Sequence, residues 1–181
     1  EVVIPSETQV LGYFDSLSNW GRWGDEDQLG TLNFMTPKTV RRAVSLIQEG
    51  HHISCERTIQ FENTVDSITP PVHFMIESGE GWATGDKVTN RVAEGASDFF
   101  GMAYHGYTIT HIDSLCHFFW QGKMYNNRPA HLVSTNHGAT VESVEVAGSG
   151  ILGRGVLVDV PMIRNADWVE RGEGVMPEDI L

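Results

Sequence analysis

The sequence has few of the residues that mark a disulfide-built, nucleic-acid-binding or membrane protein. It contains two cysteines, Cys55 and Cys116, in 181 residues, and two thiols without a spacing motif are typical of plain buried residues. Basic residues are scarce, with 12 Lys and Arg against 24 Asp and Glu. The resulting net charge of −12 argues against nucleic acid and anionic membranes as partners.

Long apolar runs are missing too. The longest are only a few residues, such as Val156 to Val158, whereas a membrane span needs about 20. The segment Glu1–Val10 has no apolar export stretch. With 40% hydrophobic and 20% charged residues, we expect one globular cytoplasmic domain over 1–181. The end of the sequence, 176–181, is typical of a helix start without its body, so we expect the N-terminal part of a longer protein, with some of the active site beyond Leu181.

Local patterns predict one helix and several strands. Thr36 is a typical N-cap, Pro37 suits the first helical position, and apolar residues then recur at helical spacing until Gly50, which predicts a helix over 37–48. The loop Glu77–Gly85, which contains Trp82, has the glycine content of a mobile or substrate-facing loop. β-branched and aromatic residues predict strands over 52–60, 72–77, 99–112, 140–147 and 154–160.

The segment from Tyr107 to His117 contains the residues that indicate chemistry. In an extended chain His111 and Asp113 share one face, so an imidazole and a carboxylate can point at one metal ion. If the chain turns after Asp113, His117 returns toward that carboxylate. Such donors suit Zn²⁺ or Mn²⁺. The spacing alone favours a hydrogen-bonded structural pair over a metal site.

The same segment resembles the signature of the cyclase family, in which bacterial kynurenine formamidases carry His-x-Gly-Thr-His-x-Asp-x-x-x-His. The three matching positions with ionisable side chains are those of His111, Asp113 and His117. Further similarity to longer family members covers 19–24, 29–33, 36–37 and 153–157. The resemblance implies an α/β fold, a swivelling β/β/α domain with a curved mixed sheet and flanking helices, and a homo-oligomer, commonly a dimer.

The resemblance also implies roles for individual residues. His111 and Asp113 become ligands of Zn or Mn, and His117 becomes the general acid/base. Tyr107 occupies the position of the family's first His, so a ligand is missing there. His105 could replace that ligand only if a bulge or turn intervenes, because six residues of strand span about 20 Å. Otherwise we expect a single metal, with Tyr107 as a pocket residue beside Trp82, Phe118 and Phe119.

The expected function is therefore metal-dependent hydrolysis of a C–N amide bond in a small-molecule substrate, an N-formyl arylamine or a cyclic amide. A non-catalytic ligand-binding or subunit protein that retains the fold is the alternative. A metal-dependent oxygenase would use the same residues with Fe(II).

Overall fold

The computed structural model describes residues 4–65, 67–85 and 95–180. The sequence expectations about 1–3 and Leu181 therefore lie outside the described residues. The chain forms two compact units: unit 1 comprises Glu1–His51 and Asp113–Leu181, and unit 2 comprises His52–Ile112. The single domain expected from the sequence stays a prediction. Within the described residues, no helix has the length and apolar character needed to cross a bilayer.

The secondary structure consists of short elements joined by irregular chain. The α-helices are α1 (Glu7–Ser16), α2 (Pro37–Val44), α3 (Glu80–Ala83) and α4 (Val160–Arg164), and the strands are β1 (Val72–Glu77), β2 (Ser97–Gly101), β3 (Val133–Ser134) and β4 (Gly138–Ala139). The 3-10 turns are Gly30–Phe34, Leu115–His117, Tyr125–Asn127, Ala130–Leu132, Val144–Ala147 and Pro177–Asp179.

Side-chain caps define where the helices of unit 1 begin. The Ser6 hydroxyl accepts from the Gln9 amide and the Gln9 side chain accepts from the Ser6 amide, which forms a capping box at α1. At α2 the Thr36 hydroxyl accepts from the backbone amide of Thr39, which is the N-cap that the sequence predicted. The end of α2 was predicted wrongly: the helix stops at Val44, because Leu46 bonds to the residue three positions back and the chain tightens.

Unit 2 contains an antiparallel pair formed by β1 and β2. His73 pairs with Phe100 and Phe74 with Phe99, and the rings of Phe74 and Phe99 stack at 5.1 Å between centroids. The prediction of a strand over 72–77 is confirmed. The strand predicted over 99–112 is wrong beyond Gly101, where regular pairing ends.

The other predicted strands are absent from the described residues. The segment 52–60 has no strand pairing, and 140–147 includes the 3-10 turn Val144–Ala147. The segment 154–160 leads into α4, which Asp159 caps through the Met162 amide. β-branched residues favour extended backbone but cannot supply a neighbouring strand. Both sheets of the described chain are two-stranded and antiparallel rather than mixed.

The centre of unit 1 lies around Met124 and Glu142, whose side chains are almost fully buried. Cys116, the central residue of the turn Leu115–His117, is buried. It is a free thiol, as is the exposed Cys55. The amide of Cys116 donates to the carbonyl oxygen of Glu142 at 3.3 Å. The turn that carries His117 is thus bonded to the buried centre of its unit.

Candidate metal centre

Irregular backbone brings two histidines together in the stretch that was predicted as a strand. Gly106 has φ +136, a conformation that side-chain-bearing residues rarely adopt. The rings of His105 and His111 consequently lie 5.3 Å apart between centroids, with Tyr104 beside both. A straight strand would separate the two histidines by about 20 Å, so the turn at Gly106 is what makes His105 available.

Three ligand atoms converge in this stretch. One donor atom from each of His105, His111 and Asp113 lies within 4.8 Å of the other two. It is the one such group of three among the residues that the structure describes. Tetrahedral ligands about 2.0–2.1 Å from zinc lie about 3.4 Å apart, so the donors need only a small closing movement. Two imidazoles and a carboxylate form a possible metal-binding group and fit Zn²⁺ or Mn²⁺.

A hydrogen bond to the backbone orients the imidazole ring of His111. Its Nδ1 lies 2.6 Å from the carbonyl oxygen of Ile109. A carbonyl oxygen only accepts, so Nδ1 donates the hydrogen, which in the neutral imidazole leaves the lone pair on Nε2. Backbone carbonyls orient metal-binding histidines in this way. The ring of His111 is therefore prepared to act as a ligand through Nε2.

His117 also lies close to the carboxylate of Asp113. The His117 amide donates to the carbonyl oxygen of Ser114 at 3.0 Å and closes the turn Leu115–His117. This turn places His117 Nε2 3.7 Å from Asp113 Oδ2, with both side chains about 40% exposed. The approach matches the geometry expected from the i, i+4 spacing. The catalytic and ligand roles of these residues remain predictions.

The residues predicted to line a substrate pocket belong to both units, Tyr107 and Trp82 to unit 2 and Phe118 and Phe119 to unit 1. Tyr107 is almost fully exposed, and its carbonyl oxygen accepts from the Arg57 guanidinium at 3.0 Å. Trp82 lies on α3 in unit 2. Phe118 lines a cavity of unit 1, while Phe119 is about 40% exposed and is not part of that lining.

The cavity that Phe118 lines has a volume of about 520 Å³. Five of its eleven lining residues are aromatic, and Phe14 of α1 stacks on Trp120 at 4.6 Å between centroids. Leu115 and Phe118, which flank the turn of His117, both belong to the lining. An apolar space of this size next to the turn can hold an aromatic ring.

The partly buried carboxylate of Asp27 is bonded to Tyr125, which lines the same cavity. The Tyr125 hydroxyl donates to Asp27 Oδ2 at 2.8 Å, and Asn33 and Gly30 donate to the same carboxylate. Burial by itself raises the pKa of Asp27, but these hydrogen bonds outweigh it and hold that pKa below its usual value. Burial and the bond to Asp27 raise the pKa of Tyr125 to about 12.

Sequence reasoning admitted His105 only conditionally and did not find the Asp27 cluster. The signal for His105 was Gly106, because a glycine between two potential ligands permits the required turn. Asn126 and Asn127, both at positive φ, were a similar signal that the chain folds back at Tyr125. The bond between Tyr125 and Asp27 spans 98 positions and left no local pattern to detect.

Comparison with solved structures places this geometry in a known fold. The chain is similar to a crystal structure described as a novel cyclase, with a TM-score of 0.80 and 30% sequence identity over 91% of this chain. The chain spans 55% of the length of that cyclase. No family model matches the sequence, and no curated protein matches it.

The sequence signature, the fold and the converging donors agree with this similarity. The chain therefore has a cyclase fold, and its likeness to a solved cyclase supports the cyclase family predicted from the sequence.

Proposed function

We propose that the protein is a metal-dependent hydrolase that cleaves the C–N amide bond of a small molecule, an N-formyl arylamine or a cyclic amide. The observation that carries the proposal is the convergence of His105, His111 and Asp113, with His117 3.7 Å from the same aspartate. Within the cyclase family, we further propose that the whole protein has the swivelling β/β/α architecture.

The three donors would hold Zn²⁺ or Mn²⁺. When bound, such an ion lowers the pKa of a coordinated water and polarises the substrate carbonyl. His111 would bind through Nε2, because its Nδ1 hydrogen is committed to the Ile109 carbonyl. His105 supplies the ligand that the family signature places at the position of Tyr107. This chain thus retains a two-histidine, one-carboxylate set despite the substitution at that position.

His117 is proposed to move the protons of the reaction. Water adds to the carbonyl carbon as its own proton passes to the imidazole, and the C–N bond breaks as His117 returns a proton to the departing nitrogen. For an N-formyl arylamine, the products are formate and the free amine. Asp113 Oδ2 lies 3.7 Å from His117 Nε2, so the proposed acid/base stands beside a proposed metal ligand.

The aromatic cavity of unit 1 is proposed to receive the aryl group of the substrate. Phe118 follows His117 directly in the chain, and both Phe118 and Trp120 line the cavity. Its volume of about 520 Å³ lies within the range of small-molecule sites. An aryl ring held there would bind by stacking and by removal of apolar surface from water.

The proposal is tested by assaying the purified, metal-loaded protein with N-formylaniline and with isatin, a cyclic aryl amide. N-methylformamide, which has the same bond without the ring, is the matched control. We expect hydrolysis of at least one aryl substrate, loss of that activity with a chelator, and its return when zinc or manganese is added back. If the folded protein binds metal and hydrolyses none of these substrates, the hydrolase assignment is wrong.

The alternative is a ligand-binding protein that keeps the cyclase fold without catalysis. The observation in its favour is Tyr107, which stands where the family signature has its first His and is almost fully exposed. This alternative predicts saturable binding of an aryl amide, measured by calorimetry, with no product after prolonged incubation. An oxygenase would instead require Fe(II) and consume oxygen.

A further inference from the structure

We infer that Glu142 is a positioning residue that holds the turn of His117 in place. The inference rests on the proposed function, because His117 is assigned there as the acid/base. Glu142 lies 26 residues after Cys116 in the chain, and its carbonyl oxygen accepts a hydrogen bond from the Cys116 amide. Its burial, its backbone conformation and its bonding partners all point to this one task.

The side chain of Glu142 is fully buried and only partly bonded. Arg128 Nη1 donates to Glu142 Oε1 at 2.6 Å. The second oxygen, Oε2, is buried without a hydrogen-bond partner among the described residues. Burial raises the pKa of Glu142, while the guanidinium of Arg128 opposes that rise. A buried carboxylate with one unbonded oxygen is costly, so its presence calls for a reason.

The backbone of Glu142 is strained as well. Its φ is +56, in the left-handed region that residues other than glycine rarely occupy. Both backbone groups are nevertheless used: the amide donates to Gln28 Oε1 at 2.8 Å, and the carbonyl oxygen accepts from the Cys116 amide at 3.3 Å. The unusual conformation is what turns that carbonyl toward the turn of His117.

Arg128 holds the side chain of Glu142 and is itself held by backbone carbonyl oxygens. Besides its bond to Glu142, its guanidinium donates to the carbonyl oxygens of Asp27 at 2.7 Å and Asp25 at 3.1 Å. The loop 25–27 therefore holds Arg128, and Arg128 holds the Glu142 side chain. Through its carbonyl, Glu142 in turn holds the Cys116 amide, one residue before His117.

The start of the turn Leu115–His117 is also confined. Gly30 has φ +54, and a Cβ atom at that position would come within 3.1 Å of Leu115 Cδ1. Leu115 is the first residue of the turn Leu115–His117. The turn is thus packed against Gly30 at its start and bonded to Glu142 at its centre, which restricts the positions open to the His117 imidazole.

A second ion pair in unit 1 shows what a purely structural arrangement looks like. Arg164 donates to both carboxylate oxygens of Asp179, and the Met176 amide donates to that carboxylate as well. This pair leaves no buried oxygen unbonded and contacts no residue of the His117 turn among the bonds described. Asp179 therefore serves as the matched control for Glu142.

The test measures the turn and the reaction separately. In a Cys55→Ser background, Cys116 is the remaining thiol, and its rate of labelling by a thiol reagent reports opening of the turn. Glu142→Gly removes the side chain but suits the positive φ, so the variant is expected to fold. Glu142→Gln keeps the shape and the acceptor for Arg128, and Asp179→Ala breaks the control pair.

We expect Glu142→Gly to label about tenfold faster than the parent and to lose about tenfold in kcat with KM nearly unchanged. Glu142→Gln should recover most of both losses. Asp179→Ala should lower thermal stability without moving either value. Parent-like labelling and kcat in Glu142→Gly, or the same changes in Asp179→Ala, would overturn the inference, as would faster labelling with kcat unchanged.

Failure of the proposed function gives a different result. If the parent protein hydrolyses no amide, the hydrolase assignment fails, while the labelling rates still show whether Glu142 holds the turn. If the parent is active and Glu142→Gly labels and reacts like it, the hydrolase assignment stands and the positioning role is wrong.

Discussion

Two parts of the molecule pair histidine with aspartate, and they differ in the backbone that presents them. On the sheet of unit 2, His73 Nε2 lies 2.7 Å from Asp98 Oδ2. The two residues are diagonal neighbours on paired strands, since His73 faces Phe100 and Asp98 faces Met75. In the stretch 105–113, irregular chain brings three donors within 4.8 Å.

The comparison shows why regular and irregular backbone suit different tasks. A two-stranded sheet repeats every second residue and presents side chains in pairs across the strands. The His73–Asp98 pair satisfies itself by one short hydrogen bond on a half-exposed face. A metal needs three or more donors from several directions, and the turn at Gly106 provides them.

The largest expected effect separates the acid/base from the metal ligands. His117→Ala should lower kcat by about 10²–10⁴-fold, the usual contribution of general acid/base catalysis, and keep the metal. Asp113→Ala should lose both metal and turnover, because it removes a proposed ligand. His73→Ala, which removes the histidine of the sheet pair, should change neither. Activity and metal content of each purified variant are the measurements.

The contrast between the sheet pair and the irregular stretch 105–113 is lost if His105 does not bind metal. We expect His105→Ala to weaken metal affinity by at least about 100-fold, since loss of a direct ligand should exceed the 10–100-fold cost of losing an outer partner. Competition with a chromogenic chelator measures the affinity. Asp98→Ala serves as the control on the sheet, and equal affinities in the two variants would remove His105 from the site.

A smaller effect tests the turn itself. Gly106→Ala places a side chain at φ +136, which costs about 1–3 kcal/mol of backbone strain, and relaxation of that strain should move His105 away from His111. Metal affinity should fall roughly tenfold. Gly79→Ala is the matched control, because Gly79 has an ordinary φ of −79 and a Cβ there meets nothing within 4 Å. The same chelator titration decides the result.

The smallest expected effect is a change of stability with pH at Tyr125, and it should leave metal binding unchanged. Tyr125 has a pKa of about 12 in the folded protein against 10.0 ordinarily. A raised pKa contributes stability that is fully present below pH 10 and is lost as the pH rises to about 12. The loss should be about 1–2 kcal/mol after allowance for partial exposure. Tyr125→Phe should abolish this pH dependence in denaturant unfolding while metal affinity stays constant.

Local chemistry could be predicted from the sequence wherever neighbouring residues determine it. Thr36 and Pro37 marked the start of α2 correctly, and the spacing of His111, Asp113 and His117 gave the correct approach of these side chains. The strand predicted over 99–112 failed because the pattern of residues could not show that pairing ends at Gly101.

Long-range contacts account for most of what the sequence did not show. Glu142 depends on Gln28, 114 positions away, and on Arg128, so its burial and positive φ have no local signature. His105 was recognised as a possible ligand, but only the fold shows that the chain turns at Gly106 rather than continuing as a strand. The functional roles in both cases remain proposals.

The most direct test of the account is the metal content of the purified protein, measured by elemental analysis beside the His111→Ala and His73→Ala variants. We predict about one zinc or manganese ion per chain in the parent and in His73→Ala, and none in His111→Ala. A folded parent protein without metal, or equal metal loss in both variants, would contradict the proposed metal centre.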